Sequence, residues 1–365
     1  MSFQKAELVE LVDFKPPKGA ESFYYKVFDG VMLRVAIWNK KTQKGTILLQ
    51  SGRTEFIEKY YEVVNEFIER NYCVAMFDWR GQGLSDRLTS DPFIGHVNSF
   101  SDYEREFEEI LDKVYEDHCP RPWVGMGHSM GGCLVASLAS KKKQIFDAMI
   151  LCAPMLSLRM PKLLEYLVLG LGELSKLGFR DKALPRPEWD KKKGWHEIPF
   201  EANNVTSDKS RYKRSGDLIR RNEKLAVGGL SIGWGHESIK KTRQLTNSNW
   251  TDLILVPSLL LNATKDKLVD TDKNRHICSK IPDITIVDVN GEHELLMEKD
   301  YIRKKTWEAI DNFLLKKWSK IIKYYTISGL IEEITNGMVQ KLLTKLIFRK
   351  CPNICLIIMK NTLIG

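Results

Sequence analysis

Residues 127–131 read Gly127-His128-Ser129-Met130-Gly131, preceded by the apolar Trp123-Val124-Gly125-Met126 and followed by the small-residue run Gly132-Cys133-Leu134-Val135-Ala136-Ser137. A G-x-S-x-G pattern between a strand and a helix turns the chain so sharply that the serine hydroxyl stands clear of the sheet, and side chains at Gly127 and Gly131 would strike neighbouring backbone. The chemistry on offer is nucleophilic attack on a carbonyl carbon by Ser129 Oγ. With 24 glycines in 365 residues the pattern also arises by chance, so its partners and setting carry the weight.

A serine hydroxyl is nearly inert at neutral pH; it needs a base to take its proton and an acid to orient that base. Of the seven histidines, His293 alone follows a late predicted strand and lies in a small, polar turn, Asn290-Gly291-Glu292-His293-Glu294. His128 reads as pointing away from the serine beside it, and His96, His118, His196, His236 and His276 fall in loops, in the segment 156–250 or in a helix. The acid is expected between serine and histidine in chain order, at the end of the preceding strand; Asp266 fits, with Asp270 its competitor. Asp78 also ends a strand but precedes the serine, and reads as a carboxylate that fixes a loop. A tetrahedral intermediate needs backbone N–H donors. Met130, directly after the nucleophile, offers one, and Arg53 in Gln50-Ser51-Gly52-Arg53-Thr54 the other, with Gly52 allowing close approach.

These residues need a sheet to hold them. The first 150 or so residues alternate strand-like and helix-like blocks, the signature of an α/β fold with a mostly parallel sheet. Strand-like runs at 22–28 and 31–38 straddle Asp29-Gly30 as a hairpin, and buried strands are expected at 46–50, 73–77, 148–152, 254–261 and 284–289. Ser101 with Glu104 reads as the capping box of a helix whose apolar face is Phe107, Ile110, Leu111 and Val114. Residues 156–250 break the rhythm with basic and glycine-rich sequence and read as an inserted, mainly helical cap. The expected organisation is core at 1–155, cap at 156–250, core again at 251–318 closing with a helix over 300–318, and a basic extension at 319–365.

Composition narrows the classes. The net charge is +9, but from 316 onward nine lysines and arginines face two glutamates, a net of +7, so the body is nearly neutral and a nucleic-acid partner is excluded. Seven scattered cysteines, several inside apolar runs, point to buried thiols and a reducing compartment. No signal peptide or membrane-spanning run is expected, and no metal-ligand spacing or cofactor fingerprint is evident.

Four segments together, Ser51-Gly52-Arg53-Thr54-Glu55-Phe56-Ile57-Glu58-Lys59-Tyr60, Asp78-Trp79-Arg80-Gly81-Gln82-Gly83-Leu84-Ser85-Asp86-Arg87, Gly127-His128-Ser129-Met130-Gly131-Gly132 and Gly291-Glu292-His293-Glu294, resemble the bacterial lysophospholipase and monoacylglycerol lipase branch of the α/β-hydrolases. The resemblance runs over residues 5–318, and cap segments such as Gly233-Trp234-Gly235 are more similar to the lysophospholipases. It implies an α/β-hydrolase fold and a serine carboxylester hydrolase that releases a fatty acid from lysophospholipids or monoacylglycerols through an acyl-serine. An acyltransferase or a proline-type peptidase on the same residues, or a binding protein on the same fold, are the alternatives. One departure stands out: Ser51-Gly52 occupies the place where many relatives have His-Gly. An amphiphilic ester asks for an apolar groove and a head-group contact; Leu163 and Leu167 are expected in the first, Arg211 and Arg214 in the second. The expected partners are a lipid substrate and, through Met338, Leu342, Leu343, Leu346 and Ile347 among basic residues, an anionic membrane surface at the cytoplasmic face. No cofactor and no metal are expected, and no protein partner can be inferred.

Overall fold

The computed structural model describes residues 3–42, 44–142, 144–184 and 195–318. Uninterrupted apolar runs become strands covered on both faces, as parallel sheets require: β4 (Thr46–Gln50), β5 (Cys73–Phe77), β6 (Trp123–His128), β7 (Ala148–Cys152) and β8 (Ser258–Ala263) are buried along their whole length. With β1 (Gln4–Lys5), β2 (Glu21–Lys26), β3 (Met32–Trp38) and β9 (Ile284–Val289) they form a nine-stranded sheet in the order β1-β2-β3-β5-β4-β6-β7-β8-β9. The hairpin at Asp29-Gly30 forms, with Lys26 opposite Met32; β1 to β3 and the β3–β5 pair are antiparallel, and every other pair is parallel. The strand expected from 254 starts only at Ser258. Pro257 has no N–H to give the ladder; its carbonyl instead accepts from Met149 N at 2.9 Å.

The helices are α1 (Tyr61–Glu69), α2 (Phe100–Ile110), α3 (Glu116–His118), α4 (Met130–Lys141), α5 (Lys162–Leu174), α6 (Lys209–Arg221), α7 (Ile232–Asn247), α8 (Thr271–Cys278) and α9 (Asp300–Phe313). The capping box of α2 sits two residues earlier than expected: Ser101 N donates to Ser99 Oγ and Ser99 N to Asp102 Oδ2, both at 3.2 Å. The reason lies in Glu104, whose carboxylate is drawn into a buried cluster with Ser137, Lys141 and Lys241. Phe107, Ile110, Leu111 and Val114 face the core as expected.

Between β7 and β8 the described residues contain helices α5, α6 and α7 and no strand. Helices α5 and α7 meet so closely that any side chain at Gly172 would strike the His236 ring, whose Nε2 lies 2.9 Å from Glu173 Oε1. The described residues through Leu315 pack as one unit. The basic extension and its Met338 to Ile347 face lie outside the described residues. Among the described residues no helix is long and apolar enough to cross a membrane.

Candidate active site

Register places the site. Gln50 pairs with Gly127, His128 with Cys152, Cys152 with Leu261 and Ala263 with Val289, so five parallel strands end along one edge. Loops leaving that edge are where an open α/β sheet holds its ligands. Gly52 and Arg53, Ser129, Asp266 and His293 all lie in them.

Ser129 stands between β6 and α4 with φ 50° and ψ −115°, a backbone conformation that L-residues rarely adopt. Three hydrogen bonds hold it there: Ser129 N donates to Cys152 O at 3.1 Å, and Ser129 O accepts from Cys133 N at 3.0 Å and Met155 N at 2.9 Å. The flanking glycines are required sterically. A Cβ on Gly131 would lie 2.6 Å from Ser51 O, and one on Gly127 would fall among the backbone atoms of Gly131 and Gly132. Met130 opens α4, so its N–H lacks an intrahelical acceptor and projects from the helix start.

His293 Nδ1 lies 2.5 Å from Asp266 Oδ2, and both residues are buried. The second oxygen, Asp266 Oδ1, accepts from Leu268 N at 2.7 Å and Val269 N at 3.0 Å. Burial alone would push this carboxyl up; the hydrogen bond and charge of His293, with the two backbone donors, outweigh it and hold it below the ordinary carboxylate range. Asp270 is occupied elsewhere: its carboxylate caps α8 through Lys273 N at 3.1 Å and pairs with Lys273 Nζ at 2.8 Å. Asp78 is fully buried against Arg34, accepts from Ile57 N and Leu84 N, and so fixes a loop.

His128 lies beside His293. Its ring packs 4.7 Å from that of His293, its Nδ1 lies 3.2 Å from Cys152 O, and burial pushes its pKa down to about 4.

The loop expected to supply the second donor lies against the serine: a Cβ on Gly52 would be 3.2 Å from Ser129 Cβ and 3.1 Å from His128 Cδ2. Gly52 N donates to Glu55 Oε2, while Gly52 O accepts from Gln82 Nε2 at 2.8 Å. Glu55, Lys59 and Glu294 form a buried chain behind it, with Lys59 Nζ at 2.9 Å from Glu55 Oε1 and 2.6 Å from Glu294 Oε1. Glu55, His128 and Glu294 bring their ligand atoms within 4.8 Å of one another, but the Lys59 ammonium pairs with both carboxylates and supplies the positive charge there. The sequence reading passed over Glu55, Lys59 and Gln82; the one signal was the i,i+4 spacing of Glu55 and Lys59.

An apolar cavity of about 560 Å³ opens between the sheet edge and helices α5 and α7, lined by Leu164, Leu167, Val168, Leu171, Trp234 and Ile239 among others. It reaches the site at Arg53 and Leu268, while Ser129 and His293 lie outside its lining. Leu167 lines it as expected. Leu163 does not: it is 73% exposed on the outer face of α5. Nor do Arg211 and Arg214 face it. Arg211 pairs with Glu62 at 2.5 Å and Asp300 at 2.7 Å, and Arg214 pairs with Glu62, so both cations fasten α6 to its neighbours. Carboxylates close by took them before any ligand could. The cations that line the cavity are Arg53 and Arg159, and Arg53 donates to Gly228 O at 3.0 Å with its guanidinium 5.3 Å over Trp234.

Residues 41–300 match the model of the serine aminopeptidase S33 family. Lysophospholipase L2 of Escherichia coli is 28% identical over 299 residues, covering 78% of this chain and 84% of that protein. Monoacylglycerol lipase of Mycolicibacterium smegmatis is 27% identical over a shorter stretch of 126 residues, 34% of this chain and 43% of that one. The crystal structure of a soluble variant of monoglyceride lipase from Saccharomyces cerevisiae superposes with a TM-score of 0.64 at 17% identity, over 84% of this chain and all of that one, which shows the shared fold.

Proposed function

Because the chain belongs to the serine aminopeptidase S33 family of α/β-hydrolases, we propose that it is a serine carboxylester hydrolase that releases a fatty acid from lysophospholipids or monoacylglycerols. The observation that carries the reading is the buried His293–Asp266 pair at 2.5 Å on the sheet edge where strained Ser129 stands. In this mechanism Ser129 Oγ attacks the ester carbonyl and His293 Nε2 takes its proton. Asp266 holds the ring and stabilises the imidazolium. The Met130 and Arg53 N–H groups receive the developing oxyanion. His293 then protonates the departing glyceryl oxygen, and a water activated by the same ring releases the acid from the acyl-serine.

The alternative inside the family is a peptidase acting on a free N-terminus. An α-ammonium group asks for a carboxylate, and the cavity lining contains two arginines and no aspartate or glutamate. The apolar walls suit an acyl chain, and the similarity to Lysophospholipase L2 over 84% of that protein favours a phosphate-bearing substrate. Segment 156–250 serves as the cap in this reading. Exposed Leu163, Tyr166, Leu167 and Leu177 on and just after α5 support peripheral contact with a membrane, and the buried free thiols Cys73, Cys119, Cys133, Cys152 and Cys278 suit a cytoplasmic location.

The test is fluorophosphonate labelling followed by fatty-acid release from lysophosphatidylethanolamine, lysophosphatidylcholine, monoolein and a p-nitrophenyl ester. Labelling lost in Ser129→Ala and kcat lowered about 10³- to 10⁴-fold in Asp266→Asn are expected. Equal turnover in Ser129→Ala would sink the mechanism, and release of an amino acid from peptides in place of fatty acid would move the chain to the peptidase branch.

A further inference from the structure

The oxyanion loop is only as good as the direction of its N–H groups. In a trans peptide the carbonyl and the N–H of one unit point opposite ways. Pinning the Gly52 carbonyl therefore fixes where the Arg53 N–H points. That carbonyl accepts from Gln82 Nε2 at 2.8 Å, and the carbonyl one residue earlier, Ser51 O, accepts from Trp79 Nε1 at 3.0 Å. Gln82 Oε1 takes the Thr54 N–H at 3.2 Å, so one carboxamide spans the loop from Gly52 to Thr54. From the other side Glu55 Oε2 accepts from Gly52 N and from Tyr60 Oη. Every one of these partners is buried.

The pins are themselves held. Gln82 lies in a turn between Gly81 at φ 80° and Gly83 at φ 57°, and a Cβ on Gly83 would strike the Asp78 carboxylate, so the turn closes directly on that group. Asp78 in turn is locked by Arg34, Ile57 N and Leu84 N. On the far side Lys59 connects Glu55 to Glu294, the residue after His293, and Glu294 N donates to Val205 O at 2.7 Å.

We propose that Gln82 and Glu55 are the positioning residues of the oxyanion loop, fixing the Gly52–Arg53 peptide so that the Arg53 N–H faces the tetrahedral intermediate, and that Lys59 holds this loop in register with the His293 loop. The proposal rests on the serine-hydrolase reading above and adds residues that touch neither substrate nor reacting atoms. Their effect therefore belongs in the transition state and not in ground-state binding.

The experiment uses the full-length chain with Gln82→Met, Gln82→Glu and the double variant Glu55→Gln/Lys59→Met. Gln82→Glu keeps the size and the acceptor for Thr54 N–H but loses the donor to Gly52 O, and it serves if Gln82→Met does not fold. Readouts are kcat and KM on p-nitrophenyl butyrate, inhibition by an alkylboronic acid, whose adduct with Ser129 is an anionic tetrahedron, inhibition by dodecanol, which carries no such charge, and the thermal midpoint. The expected result is kcat lower by about 10- to 100-fold with KM within about twofold, boronate inhibition weaker by a similar factor, and dodecanol inhibition unchanged. Wild-type kcat in folded Gln82 variants, or boronate and dodecanol weakened alike, overturns the inference alone. A wild-type chain that neither takes up a fluorophosphonate nor hydrolyses the ester overturns the proposed function and this inference with it.

Discussion

Ser129 is held in a conformation that costs on the order of 1–3 kcal/mol, and the residues around it carry further costs. His128 is the clearest. Burial presses its pKa from 6.5 to about 4, so between those values the unfolded chain binds a proton that the folded chain refuses. Stability then rises with pH through that window and is lost as pH falls from about 6.5 to 4, by up to about 3 kcal/mol. His128→Asn should remove that share, so that urea midpoints measured from pH 7 to 4.5 fall less steeply in the variant than in the parent. Parallel slopes would show that the His128 proton is not excluded. The carboxyls of Asp266 and of Glu55, the latter held at about 2 by Lys59 and His128 against the upward push of burial, act lower in pH.

At the scale of elements, α6 is fastened by charges rather than by apolar packing alone. Arg211 on α6 reaches Glu62 on α1, Asp300 at the start of α9, Asp208 at its own helix start and the Glu298 carbonyl. Arg214 and Arg303 converge on the same Glu62. Removing Arg211 leaves Glu62 with two cations, so the loss is less than for a fully orphaned buried charge, about 2 kcal/mol. Arg211→Ala should therefore lower the thermal midpoint while the ratio of lysophosphatidylethanolamine to monoolein hydrolysis stays within about twofold. The opposite outcome, unchanged stability with a selective loss of phosphate-bearing substrate, would put the head group on α6 after all.

At the scale of the whole molecule, the cavity exists because β7 leads into α5 and the chain returns to the sheet only at β8, leaving α5 and α7 standing over the sheet edge. Its size should govern which acyl chains fit. Leu171→Trp takes part of the 560 Å³ from within, and a pocket residue changes discrimination by one to two orders of magnitude. Hydrolysis of oleoyl and palmitoyl substrates should fall about tenfold while the butyryl ester stays within about twofold. If long and short chains fall together, the cavity is not the acyl site.

Much of this was written locally. Gly127 and Gly131 are steric necessities of a turn, the apolar runs at 46–50, 73–77 and 148–152 can only be strands buried on both faces, and the order Ser129, Asp266, His293 follows from chain direction in a parallel sheet. Near-neighbour chemistry sufficed to propose them. What the sequence left open turned on partners far apart in the chain: Asp266 rather than Asp270 facing His293, Glu62 claiming Arg211 across 149 residues, His128 turned beneath His293, and Gln82 reaching Gly52 across 30 residues. A charge or a carboxamide carries no sign of which distant group will be brought within 3 Å of it. Only the folded sheet edge decides that, because hydrogen bonds and ion pairs form with whatever the register and the loops place at that distance.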